Sequence, residues 1–292
     1  MTNPQLIAAQ GLKTPEYQSK AARRLPVPPT VALSIIFLVL LAAATLRPTL
    51  FTDRSPISNQ LDQSLQPPSA EHFFGTDRLG RDIFTRIIYG AEQSLTVGLF
   101  STAIAVVIGA GIALLAVLGG RYADEVLMRF VDVLLAFPTI LMALLVVAIA
   151  GGGTTNIIIA LAIATVPTYA RLVRSKALEV RRSAYVEAAT VLGVPRWKIA
   201  VQTVVPNSIG PLLVIATIGV GTTIVDAAAL SFLGFGAPEP APEWGAMLSQ
   251  GQNDLALGWW VGVFPGLFIT LTVIAVTVLG RWLQKKFEGR DS

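Results

Sequence analysis

Cysteine is absent from all 292 residues, which excludes disulfides and thiolate-held zinc or iron–sulfur centres and leaves His72 as the only imidazole. Charge is scarce: Asp, Glu, Lys and Arg make up 14% of the chain, against about 25% in an ordinary soluble domain. No GxxxxGK[ST] run occurs, so the chain has no phosphate-binding loop of the usual kind for a nucleotide. Nothing alternates at period two over strand lengths, which excludes a membrane β-barrel.

Apolar residues are abundant instead. They form 53% of the chain, with a mean hydropathy of +0.64, and this places it in a membrane. The net charge of +4 and pI near 9.6 could suit nucleic acid. The Lys and Arg residues, however, sit in short clusters beside apolar runs, where orientation in a bilayer explains them and no nucleic-acid partner is needed. Six stretches have helical length: 31–51, 95–118, 126–150, 157–173, 209–235 and 258–283. Backbone groups in hydrocarbon must pair within the chain, so the expected fold class is all-α, a polytopic bundle of six transmembrane helices in contact with lipid.

The sequence divides accordingly. Residues 1–30 form a polar tail carrying Lys13, Lys20, Arg23 and Arg24, too long for the basic start of a signal peptide, and residues 31–51 read as an uncleaved first span. Ala42-Ala43-Ala44 keeps a cleavage reading open. Residues 52–94 form an outer segment, 95–283 hold five further helices with a loop at 174–208, and 284–292 form a short tail. With the N-terminus inside, the basic residues of 121–129, 171–198 and 281–290 fall on the cytoplasmic side. The outer side has only Arg47, Arg54, Arg78, Arg81 and Arg86, so both termini and the 174–208 loop are expected in the cytoplasm.

Small residues mark helix contacts in lipid, where association depends on close backbone approach. Ala105, Gly109 and Ala113 recur every four residues in the second stretch, and Gly258, Gly262, Gly266 and Thr270 do so in the last, beside Pro265. Both stripes read as packing faces. Within the outer segment, Ile83, Phe84, Ile87 and Ile88 recur at helical spacing opposite Arg86 and Asp82, which suggests a separate helix lying at the interface. Asp77 and Asp82 read as turn-capping or salt-bridging carboxylates, with no metal assigned. Arg129 and Asp132, three residues apart, read as a local ion pair.

The loop segment Tyr185-Val186-Glu187-Ala188-Ala189-Thr190-Val191-Leu192-Gly193 lies among Arg181, Arg182 and Arg196, in water or against a soluble partner. On a helix, Ala184, Ala188 and Leu192 share one face, with Tyr185 and Ala189 beside them. Gly193 suits a left-handed helix end and Pro195 the start of another helix. Helix, sharp turn and helix make a compact knob.

Glu187-Ala188-Ala189 followed by Gly193, Ile199 and Pro206 resembles the cytoplasmic loop of ABC-importer permease subunits. His72-Phe73-Phe74-Gly75-Thr76-Asp77-Arg78-Leu79-Gly80-Arg81-Asp82 is similar to the dipeptide, oligopeptide and nickel branch. Phe137-Pro138, Leu230 to Gly236 and Trp244-Gly245 agree with it. The resemblance implies a type I ABC-importer permease fold and a translocation pathway shared with a second, homologous permease as a heterodimer. Two ATPase subunits, an extracytoplasmic substrate-binding protein and a bacterial inner-membrane location are implied with it. ATP and magnesium would sit on the ATPases, leaving this chain without catalytic residues or a cofactor of its own. Tyr185, Glu187, Ala188, Ala189, Leu192 and Gly193 would couple to the ATPase. Asp226, an ionisable group in an apolar stretch that stands where the branch commonly has Glu, and Ser231 are candidates for the pathway, with packing as the alternative for Asp226. Glu92 stands where the branch usually has a basic residue. Dipeptides or oligopeptides are the expected cargo, with nickel chelates or another small solute as the alternative; the other reading is an ion-coupled secondary transporter using Asp226, Asp132 and Arg129.

Overall fold

The computed structural model describes residues 27–288, so most of the N-terminal tail and residues 289–292 lie outside the described part. Among the described residues ten α-helices and no β-strand form, and one isolated bridge joins Thr76 to Asp82. Helix α1 spans Pro29–Leu46. It begins two residues before the expected span because Pro29 fits the first helical turn, where no N–H is needed. It ends at Leu46, short of Leu50 and Phe51, because Pro48 forces Arg47 out of the helical region to φ −146°.

Helix α2, Ile83–Leu118, is one continuous rod of 36 residues. The separate interfacial helix expected before residue 95 is its first part, and Ile83, Arg86 and Ile87 are buried there. Asp82 starts the rod: its side chain accepts the Thr85 N–H at 2.8 Å, the N-cap bond that orphan donors of a first turn require. The sequence pattern misled because Arg86 looks solvent-seeking, whereas it is drawn inward by Asp77 and two backbone carbonyls.

The expected third span, 126–150, is broken. Helices α3 (Gly120–Leu135) and α4 (Thr139–Ala150) meet at 88°. Pro138 lacks an N–H and turns Phe137 away from helical geometry, so the chain bends there. Helix α5 covers Thr154–Arg181, α6 Ala184–Val191 and α7 Arg196–Ile199, followed by a π-turn at Ala200–Val204. Helix α8 covers Val205–Leu230 and runs into a second π-turn at Ser231–Phe235. Helix α9 spans Trp244–Gly251, and α10, Trp260–Glu288, extends into the expected C-terminal tail. Five helices are long and apolar enough to cross a membrane, or six segments if the bent pair counts as one.

Close backbone approach builds the bundle. Helix α2 packs along α5, and a Cβ added at Gly109 would lie 2.8 Å from the Ala170 nitrogen, with Ala105 and Ala113 fully buried on the same stripe. That stripe is the packing face its spacing suggests. Helix α8 lies against α10, where Gly280 meets Ile218, and against α2, where Gly98 meets Ile224. The second stripe packs too, but on shorter elements and only as far as Gly266. Gly258 precedes α10, Gly262 receives Leu255 of the preceding connector, Gly266 faces Leu248 of α9, and Thr270 is exposed. At one end, Trp244 fills the core beside Ile83 and Ile87 and donates its indole N–H to the Ile87 carbonyl at 2.9 Å. Trp260 does the same to Thr76 at 3.1 Å.

Candidate functional site

Helix α6 projects from the end of the bundle where α5 stops. Ser183 breaks the two apart: its extended backbone caps α6, and its hydroxyl donates back to Val180. At the far end of α6, Gly193 sits at φ +76°, the left-handed region that costs a side chain about 1–2 kcal/mol. The Val194 N–H reaches the Ala189 carbonyl at 3.1 Å and the Gly193 N–H reaches Thr190 at 3.0 Å. This is the paired closure of a Schellman motif, which satisfies carbonyls that the helix end would otherwise orphan. Pro195 then opens α7, its carbonyl accepting the Lys198 and Ile199 N–H groups.

One side of this knob is fastened and the other is free. Val186 and Ile199 are buried with Val117 of α2 and Ala177 of α5, and Ala189 and Val194 pack against them. Ala184, Tyr185, Glu187, Ala188, Leu192 and Gly193 are exposed, with Leu192 at 82%. The structure thus brings the sequence-derived residues together on one outward surface, except Ala189, which is half-buried at the fastened edge. Val191 and Trp197 add exposed apolar area to that surface. Spacing along α6 does not reveal Trp197, because it arrives from the far side of the Gly193 turn.

Helix α5 ties the knob to the bundle. Arg174 holds Asp124 of α3 through Nε and Nη2, both at 2.5 Å, and Arg171 pairs with Asp132 of α3. The expected Arg129–Asp132 pair is therefore replaced by an interhelical one, because α3 lies against α5 and brings Arg171 to the carboxylate.

Asp226 and Ser231 lie on the other part of α8 and in its π-turn. Asp226 is half-buried on the same side as exposed Thr222, Val225 and Leu233. Ser231 is 4% exposed and enclosed by Gly236 and Gly245, whose added Cβ atoms would each come within 2.8 Å of it. It also hydrogen-bonds Glu243, the N-cap of α9, whose carboxylate accepts the Gly245 and Ala246 N–H groups at 2.8 Å. Burial pushes the Glu243 carboxyl up, against the downward pull of those donors. Ser231 thus belongs to a packed junction, whereas Asp226 is half-buried beside exposed residues of α8. Among the described residues no three His, Cys, Asp or Glu side chains gather where they could hold a metal ion. His72 is instead bonded to Asp82 through Nδ1 at 2.8 Å, and Asp77 to Arg81 at 2.7 Å.

Residues 105–290, from within α2 through α10 and including the knob, match the family model described as binding-protein-dependent transport system inner membrane component. The chain belongs to this family of membrane permeases. Over 241 residues it is 44% identical to the dipeptide transport system permease protein DppC of Alkalihalophilus pseudofirmus, covering 82% of this chain and 79% of that one. It is 41% identical over 260 residues to the glutathione transport system permease protein GsiD of Pectobacterium atrosepticum, with 89% and 86% covered. It is also 40% identical over 254 residues to the probable D,D-dipeptide transport system permease protein DdpC of Escherichia coli, with 87% and 85% covered. The permease also shares its fold with a subunit of the MetNI methionine ABC transporter in inward-facing conformations, at a TM-score of 0.57, 20% identity, and coverage of 69% of this chain and 96% of that one. An amino acid ABC transporter solved with histidines gives 0.56, 17% identity, and 70% and 94% coverage.

Proposed function

We propose that this permease is the membrane subunit of an ATP-driven importer for dipeptides or other short peptides, and that the α6–Gly193–α7 knob is where an ATPase subunit grips it. The carrying observation is the knob's asymmetry: one face packs on α2 and α5, and the other leaves Tyr185, Glu187, Ala188, Leu192 and Trp197 exposed among the described residues. Such a surface transmits a push, because movement of α6 must move α5. The relatives named for dipeptides, D,D-dipeptides and glutathione support a short-peptide cargo.

The knob faces the cytoplasm in this reading, with both termini on the same side, as the Lys and Arg distribution favours. The chain binds no nucleotide; ATP and magnesium belong to two partner ATPases, and an extracytoplasmic binding protein delivers cargo. A second, homologous permease covers the exposed side of α8, so that Asp226 faces the shared pathway. Two arrangements of the bundle, open to either side, are biased by closure of the ATPases. Reconstituting the permease with its partners and measuring dialanine uptake tests the reading. Uptake that requires both ATP and the binding protein supports it; uptake by the permease alone, driven by an ion gradient, contradicts it.

A further inference from the structure

Helix α3 leaves the knob end of the bundle, since Val117 in the last turn of α2 is buried with Val186 and Ile199. Its two paired carboxylates show how it lies. Asp124 and Asp132 stand about 12 Å apart along a helix, whereas their partners Arg174 and Arg171 stand only about 4.5 Å apart along α5, so α3 crosses α5 rather than running beside it. The crossing falls where the uncharged stretch 157–170 of α5 gives way to Arg171, Arg174 and Lys176, the level at which a span leaves hydrocarbon. Three sides of α3 have different surroundings there. Met128 and Val131 are buried against Ala116 and Ala170. Arg121, Glu125, Arg129 and Asp132 recur at helical spacing as an exposed polar strip, and the residue after each, Tyr122, Val126, Phe130 and Val133, continues with Phe137 as an apolar strip 55–86% exposed. Beyond the 88° bend, Leu141, Leu145 and Ile149 are likewise exposed on α4, which has no charged residue.

Charge decides what covers these strips. Asp124 and Asp132 are already taken by Arg174 and Arg171, and among the described residues Arg121 and Arg129 make no ion pair. A protein partner laid on the apolar strip would have to supply a carboxylate for Arg129 at its edge, whereas a phospholipid brings phosphate and hydrocarbon together. We propose that α3 lies along the membrane boundary as an interfacial anchor for anionic phospholipid, with acyl chains against the strip from Tyr122 to Phe137 and headgroup phosphates on Arg121 and Arg129. The bound lipid steadies α5 through the two interhelical ion pairs, and the knob with it. This holds whatever the cargo is and whether or not an ATPase grips the knob.

The test uses the absence of cysteine: Phe130→Cys or Glu125→Cys carries a single bimane on the full chain, in equimolar nanodiscs of phosphatidylcholine and phosphatidylglycerol with one lipid or the other brominated on its acyl chains. Bimane at 130 is expected to be quenched by both lipids, with a local excess of phosphatidylglycerol of about fivefold, what one arginine gains at an anionic surface. Bimane at 125 should be quenched by aqueous iodide instead. Arg121→Gln with Arg129→Gln should remove the excess, and should that variant misfold, raised salt on the unaltered arginines should remove it equally by screening. Equal quenching by the two lipids, iodide reaching 130 as readily as 125, or an excess that survives the double variant or the salt overturns the proposal. So does loss of lipid quenching at 130 once the second permease and the ATPases are added, which would give this face to a protein partner.

Discussion

The hydroxyl of Tyr169 on α5 lies so close over Gly219 of α8 that a Cβ at Gly219 would stand 1.8 Å from it. The same hydroxyl hydrogen-bonds Thr102 of α2, which in turn bonds Thr223 of α8 at 3.2 Å, so three helices meet at one glycine. Gly219→Ala should destabilise the bundle by about 1–3 kcal/mol, the usual cost of forcing volume into a packed core. Adding Tyr169→Phe should return part of it by removing the offending oxygen. Thermal unfolding of the single and double variants checks this, and a double variant no better than Gly219→Ala would refute the contact.

The Arg174–Asp124 fork clamps α3 to α5 in two parallel bonds. Charge-assisted bidentate pairs are stronger than single ones, yet both side chains are about a quarter exposed, so water screens them. Asp124→Asn or Arg174→Gln should each cost about 1 kcal/mol or less, and the two together little more than either alone. A double-mutant cycle measured by denaturant unfolding reads the coupling; additive losses would mean that the pair contributes nothing.

The Glu243 carboxyl has its pKa raised in the folded permease, because burial outweighs the Gly245, Ala246, Ser94 and Ser231 donors. A raised folded value means the folded state holds the proton more tightly than the unfolded chain. The stability this contributes is full at pH values below the ordinary carboxylate range, and it is lost as pH rises from there through the folded value. Glu243→Gln should flatten that fall. Where Glu243 is itself protonated the two chains should differ little, since each then presents a neutral cap to α9. Melting curves across the mildly acidic range check this, and parallel pH profiles for the two chains would contradict it.

Gly193 has open space around it, with nothing within 4 Å of an added Cβ, so strain rather than collision decides its variants. Gly193→Val should leave the permease folded in the membrane, because the cost of about 1–2 kcal/mol falls on one exposed turn. It should nonetheless tilt α7 and reduce uptake far more than ATP hydrolysis by the reconstituted complex. Equal loss of both, or loss of neither, would remove the coupling role from the turn.

Much of this was readable from residue spacing where a single physical cause governs. The Ala105, Gly109 and Ala113 stripe packs as small residues in lipid must, and Gly193 ends α6 as a left-handed position must. Spacing failed where pairing across the fold decides the outcome. Arg86 reads as an interfacial cation until Asp77 and the Pro56 carbonyl are brought to it, and Asp132 reads as the partner of its helical neighbour until α5 supplies Arg171. Pro138 was part of a recognisable motif, yet its effect as a helix breaker governs the bend between α3 and α4. Trp197 joins the knob's surface only through the turn that Gly193 makes.

Because the chain has no cysteine of its own, Leu192→Cys places a single thiol on the free face of α6. A bifunctional maleimide on that thiol, applied to the assembled transporter, tests the central claim directly. The expected result is a crosslink to the ATPase subunit that changes in yield when nucleotide binds, and no reaction of the thiol with an impermeant maleimide added outside intact cells. Rapid labelling from outside, with no crosslink to the ATPase, would contradict it.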